Sequence, residues 1–165
     1  MQMDAKAALK SSFNLSSQVL KAYVGDLDDA DLMQRPGEGC NHIAYQLGHL
    51  ISSEVQLLSM IAPEAAVELP DGFVETHAKE NAACDDAAQF CSKEEYLALF
   101  DKVREASLST LDSADDAMLE GPAPEPMQSF CPTNCDFYGL IASHPMMHAG
   151  QFVPVRRMLG KPIVM

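Results

Sequence analysis

Residues 41–63, NHIAYQLGHLISSEVQLLSMIAP, decide the fold. Ile43, Leu47, Leu50, Leu57 and Leu58 form an apolar stripe at helical spacing. Asn41 is a good N-cap residue and Pro63 closes the segment. The stretch therefore reads as a helix with one face in a core. Gly48 lies in its interior, where glycine costs about 1 kcal/mol against alanine. A glycine there points to a close neighbour, either another backbone or a bound group.

Working outward, three more helices show the same marks. Residues 4–24 place Leu9, Phe13, Leu20 and Val24 on one face, with Ser16 among them. Gly25 follows where a left-handed closing residue is expected. Ser92-Lys93-Glu94-Glu95 is a capping box. It opens a helix whose apolar positions run through Tyr96, Leu99, Phe100, Val103, Ala106, Leu108 and Leu111. The last helix covers 134–159 and ends at Gly160 and Pro162, with Arg156 and Arg157 where the helix dipole favours cations. Residues 26–38 and the proline-rich 121–126 read as connectors. Residues 63–91 carry one clear signal, the Pro70-Asp71-Gly72 turn, and read as a short helix or a loop packed over one end. Strand-like alternation and internal repeats are missing. The expectation is an all-α fold, a four-helix bundle, in a single domain over 1–165.

Composition narrows the function. With 47% hydrophobic and 21% charged residues, the chain of 165 residues can bury a full core. Its net charge of −13 argues against a nucleic-acid partner and against docking on an anionic membrane. No apolar run is long enough to span a bilayer. The start, Met1-Gln2-Met3-Asp4-Ala5-Lys6, lacks a basic region followed by an apolar run, so no signal peptide is expected. Five cysteines, an odd number, favour reduced thiols and a cytoplasmic location. Cys131 and Cys135 form a CxxxC pair without the second pair a zinc ribbon needs, so free loop thiols are the simpler reading.

The chemistry rests on the histidines. His144 and His148 are four residues apart, on one face and separated by about 6 Å of rise. Two imidazoles so placed can converge on one ion. His49 lies among apolar residues on a different helix, which suits either a core histidine or a ligand in a bundle. His42 shares a face with His49 but lies two turns away, roughly 10.5 Å, which is too far for one ion to take both. It reads as an N-terminal helix residue near the entrance of the site. His77 falls in the 63–91 segment and reads as solvated. Pro145, between the paired histidines, removes an amide and crowds the carbonyl of Ile141. A kink or break near 143–145 is therefore expected.

Asn41 through Leu50, together with His144 through His148, Ala149-Gly150-Gln151 and Arg156-Arg157-Met158-Leu159-Gly160, resemble the two helix motifs of the DinB/YfiT-like superfamily. The resemblance covers essentially the whole chain. It implies a four-helix bundle, often a homodimer, with a divalent metal held by three histidines. Carried over, these are His49, His144 and His148. It also implies small-molecule chemistry in which some members use low-molecular-weight thiols as cosubstrates for transfer or isomerisation and others are hydrolases.

Three protein ligands leave an open position, which favours catalysis or substrate binding over a structural role. All-imidazole ligation suits zinc first and nickel second. Gln46, Gln151, Ser52 and Ser53 are spaced to support the ligands. Glu54 points off the ligand face, and no general base is assigned. The alternative is a non-catalytic module binding a metal or small ligand.

Overall fold

The computed structural model describes residues 4–164. Met1–Met3, on which the reading of the N-terminus partly rests, lie outside the described residues. In chain order the helices are α1 (Ala5–Val24), α2 (Asp29–Leu32), α3 (Ile43–Ile61), α4 (Phe73–Thr76), α5 (Lys93–Ser113), α6 (Asp116–Glu120) and α7 (Asn134–Met158). The fold is all-α, with no strand among the described residues. The four long helices are those expected, and the connectors hold the three short ones. Among the described residues, no helix is long and apolar enough to cross a membrane.

Side chains set the helix starts. The Asp4 carboxylate accepts from the Ala7 amide, and Ser92 and Glu95 form the expected capping box. Thr133 and Asp136 form another at α7. At α3 the expectation changes: the cap is His42, not Asn41, and the His42 Nδ1 accepts from the Tyr45 amide at 3.0 Å. Gly25 is not left-handed; its φ is −59° and the chain turns tightly into α2 instead. Gly160 is left-handed, with φ +69°. Its amide donates to the Arg157 carbonyl and that of Lys161 to the Arg156 carbonyl, a complete Schellman closure.

Cross-contacts fix the helix directions. Leu9 meets Gly139 and Tyr23 meets Arg156, so α1 and α7 run parallel. Lys10 pairs with Asp112 and Lys21 with Asp101, so α1 and α5 are antiparallel. Gln46 bonds His148, while Glu54 and the Ile141 carbonyl share Arg104, so α3 and α7 are antiparallel. It follows that α3 and α5, consecutive long helices, are parallel. Parallel neighbours need a connection that returns along the whole helix length. Residues 62–92 are that crossover, which accounts for their length. Arg35 holds it by donating to the carbonyls of Ala82 and Cys84.

Arg104 sits where the four long helices meet. Nε donates to Ser17, Nη1 to Glu54 Oε2 at 3.0 Å and to the Ile141 carbonyl at 3.1 Å, and Nη2 to Ser16 and the Phe13 carbonyl. Those bonds occupy every N–H of a guanidinium. Its charge also lies over the rings of Phe13 and Phe100, one from each half of the core. Ile141 is the residue whose carbonyl Pro145 deprives of its usual amide donor. Arg104 supplies the replacement. The break expected at Pro145 is absent, and α7 is continuous through it.

Candidate metal centre

α3 turns Tyr45, His49, Ser52 and Ser53 toward one side at helical spacing, and α7 presents His144 and His148 across from it. The structure brings these three histidines together. One ring nitrogen from each lies within 4.8 Å of the others. Ring centroids are 5.6 Å apart for His49 and His144, 5.3 Å for His49 and His148, and 4.9 Å for His144 and His148. Nitrogens about 2.1 Å from one tetrahedral ion lie roughly 3.4 Å apart, so closing on an ion asks for side-chain movements of about an ångström.

His148 has a defined tautomer. Its Nδ1–H donates to the Gln46 side-chain oxygen at 2.9 Å. The Gln46 amide nitrogen donates in turn to the Asn41 carbonyl at 3.0 Å, which fixes the end of the amide that faces His148. Nε2 is then a bare lone pair, and it is buried with no hydrogen-bond partner. A buried acceptor without a donor is costly in an ordinary core. Here it faces two more imidazoles, the arrangement a cation completes.

Burial also sets the protonation. It lowers the pKa of His49. Burial, reinforced by His49 and Arg104, pushes His144 down to about 4. Burial, reinforced by His144 and His49, pushes His148 down to about 3. The rings are therefore neutral at pH 7, the form in which imidazole ligates.

The other two histidines have both nitrogens committed. His42 accepts from Tyr45 at Nδ1 and donates from Nε2 to the Cys84 carbonyl at 3.0 Å. His77 is not solvated, as expected from sequence, but 3% exposed. Its Nδ1–H donates to the Phe73 carbonyl at 2.7 Å and its Nε2 accepts from the Tyr96 hydroxyl at 2.6 Å. Its ring lies directly on Gly48, where a Cβ would sit 2.0 Å from His77 Cδ2. The close neighbour that Gly48 announced is thus a histidine ring, that of His77, packed one residue before His49. Both histidines pin the crossover to the helices.

Of the supporting residues, Gln46 holds His148 while Gln151 is exposed and bonds neither ligand. Glu54 is turned away, paired with Arg104 and accepting from Ser107 at 2.7 Å. The cysteines are all free, and Cys131 is buried rather than in a solvated loop. A pocket of about 550 Å³ opens between α3 and the crossover and reaches His49, Ser52 and Ser53. A larger hollow of about 700 Å³ between α1 and α5 is walled by Lys21, Asp101 and Asp112 and contains no histidine.

A family model described as the DinB superfamily matches residues 12–152. The chain belongs to the DinB superfamily. The matched part of this DinB-superfamily chain contains His49, His144 and His148 together with Gln46 and Arg104. No curated protein and no solved structure matches it. Two buried arginines escaped the sequence reading. Arg104 had a signal in Ser16, Glu54 and Ser107, polar residues on three core-facing helix stripes. Arg156, expected only to complement the helix dipole, is buried and bonds Asp26 and the carbonyls of Tyr23 and Pro162.

Proposed function

We propose that this DinB-superfamily chain binds one divalent metal ion through His49, His144 and His148 and is an enzyme acting on a small molecule, of the thiol-dependent transferase or hydrolase kind. The observation that carries this reading is the bare, buried Nε2 of His148, held in that tautomer by Gln46 and facing the nitrogens of two neutral histidines. The donor set fits zinc first and nickel second. When bound, such an ion supplies a Lewis-acid centre with a position left for a small molecule or a low-molecular-weight thiol.

The chain's own residues do the rest. Gln46 fixes the His148 ring, and His77 and His42 hold the crossover as a wall over the His49 side. The pocket gives a small molecule access to His49 from that side. We further read the four long helices as the DinB-like bundle in a single domain, and the active form as a cytoplasmic homodimer. Leu15 on α1 and Met147 and Met158 on the parallel α7 are exposed apolar side chains that support pairing of two copies. The net charge of −13 supports the absence of nucleic-acid and anionic-membrane partners.

The test compares zinc-loaded and chelator-stripped protein on thiol cosubstrates with electrophilic acceptors and on simple esters and amides. Turnover that needs the metal and disappears in His49→Ala supports the reading. Turnover that is equal in stripped protein removes the metal from the mechanism.

A further inference from the structure

We infer that the Tyr45 hydroxyl is the donor that selects the ligand of the pocket beside His49, holding an uncharged carbonyl oxygen of a small molecule bound at the metal centre. The inference deepens the proposed function and rests on its metal site.

The helix that places His49 also places Tyr45. Tyr45 stands one turn earlier on α3, and the two rings stack with their planes within 8° of parallel and their centroids 6.2 Å apart. The His42 ring meets Tyr45 edge-on at 6.4 Å, and its Nδ1 accepts from the Tyr45 amide. His42 is itself tied at both nitrogens. The phenol is therefore held by two histidine rings before any ligand arrives, and with His49 it lines one wall of the pocket. A ligand on the ion needs only a few atoms to span from His49 to its neighbour.

The hydroxyl is what sets Tyr45 apart. The residue is only 5% exposed, yet its hydroxyl bonds no protein group among the described residues. Unlike the sealed oxygens of Ser52 and Tyr138, it keeps accessible surface. The Tyr96 hydroxyl, by contrast, is consumed by His77 and the Cys91 amide. A nearly buried polar group without a protein partner is costly unless water or a ligand completes it. Of the other polar groups in the wall, His77 has no nitrogen to spare, and Gln56 and Lys79 stand exposed at the rim. A phenol carries its proton at neutral pH, and burial and then Glu80 raise its pKa further, so Tyr45 donates. The Glu80 carboxylate, felt at Tyr45, disfavours an anion at this hydroxyl and leaves an uncharged acceptor as the better match. Val55, Leu69 and Val74 offer an apolar surface to the rest of the molecule.

The experiment loads the protein with cobalt in place of zinc, so that thiolate absorption reports binding, and titrates three thiols of one length: mercaptopropionamide, isopentanethiol and mercaptopropionate. Each can present sulfur to the ion, but only the amide brings an uncharged carbonyl to Tyr45. Tyr45→Phe keeps the ring and removes the hydroxyl. It should weaken mercaptopropionamide about two- to tenfold, the range of one neutral hydrogen bond, and leave isopentanethiol unchanged. In the wild type the amide should bind more tightly than mercaptopropionate. The melting temperature of metal-free protein should not fall in Tyr45→Phe, because the hydroxyl has no protein partner to lose. Amide binding that ignores the variant, equal weakening of the amide and isopentanethiol, or tighter binding of mercaptopropionate overturns the inference and leaves the metal site standing. A lowered melting temperature in Tyr45→Phe also overturns it, since the hydroxyl would then belong to the fold. Protein that takes up no cobalt defeats the metal reading, and the inference falls with it.

Discussion

Replacing Gly48 with alanine should destabilise the protein although it improves the helix. The new Cβ would lie 2.0 Å from His77 Cδ2, 2.2 Å from Nε2 and 2.3 Å from Cγ, where ordinary contact begins at 3.4 Å. The ring must retreat by about 1.4 Å, the difference between 3.4 and 2.0 Å. It cannot do so freely, because Nδ1 is tied to Phe73 at 2.7 Å and Nε2 to Tyr96 at 2.6 Å. Overpacking costs about 1–3 kcal/mol and a buried group left unpaired about the same, against a gain of about 1 kcal/mol in helix propensity. The net expectation is a loss of about 1–5 kcal/mol, read by urea denaturation followed by far-UV circular dichroism. The sign should reverse without the ring: in a His77→Ala background, Gly48→Ala should stabilise by about 0.5–1 kcal/mol. A Gly48→Ala protein as stable as wild type, or one equally damaged in the His77→Ala background, refutes this account of the glycine.

Arg104→Met should cost about 3–5 kcal/mol, because it leaves Glu54 buried without its partner, and Pro145→Ala should recover part of that loss by returning an amide to the Ile141 carbonyl; denaturant melts of the single and double variants decide it. Gln46→Leu should leave the fold intact but weaken metal binding about 10–100-fold by freeing the His148 ring, as measured by competition with a chromophoric chelator; unchanged affinity would remove Gln46 from the site. Burial lowers the pKa of His42 below the 6.5 of an ordinary imidazole, so its contribution is complete above that pH and is lost as pH falls through the folded value. Stability should therefore drop on acidification below pH 6.5, and less steeply in His42→Asn, which keeps a cap but cannot titrate; identical pH profiles would exclude His42 as a contributor.

The four long helices were legible because local signals agree with their packing. Ser92 and Glu95 mark a start, Gly160 an end, and apolar residues at helical spacing mark the buried faces. The 62–92 crossover was not legible. Its helical pieces are three or four residues long, too short to show a period, and they are held by tertiary bonds from Arg35 and His42 and by the bond between His77 and Tyr96. The break expected as one outcome at Pro145 fails for a related reason: the donor that spares α7 from breaking comes from a residue 37 positions away. At the site, spacing alone separated His144 and His148 from the rest. His77 and His49 both sit among apolar neighbours once folded. What distinguishes them is hydrogen bonding, since His77 has no nitrogen to spare and His148 has one bare nitrogen facing His49.

The central claim is that His49, His144 and His148 hold one ion. Elemental analysis of zinc-loaded, desalted protein measures it directly. The wild type and His42→Asn should each carry close to one zinc per chain, while His49→Ala, His144→Ala and His148→Ala should each lose it with their helical content retained. Wild-type protein that takes up no metal, or stoichiometric zinc that survives all three alanine changes, would contradict it.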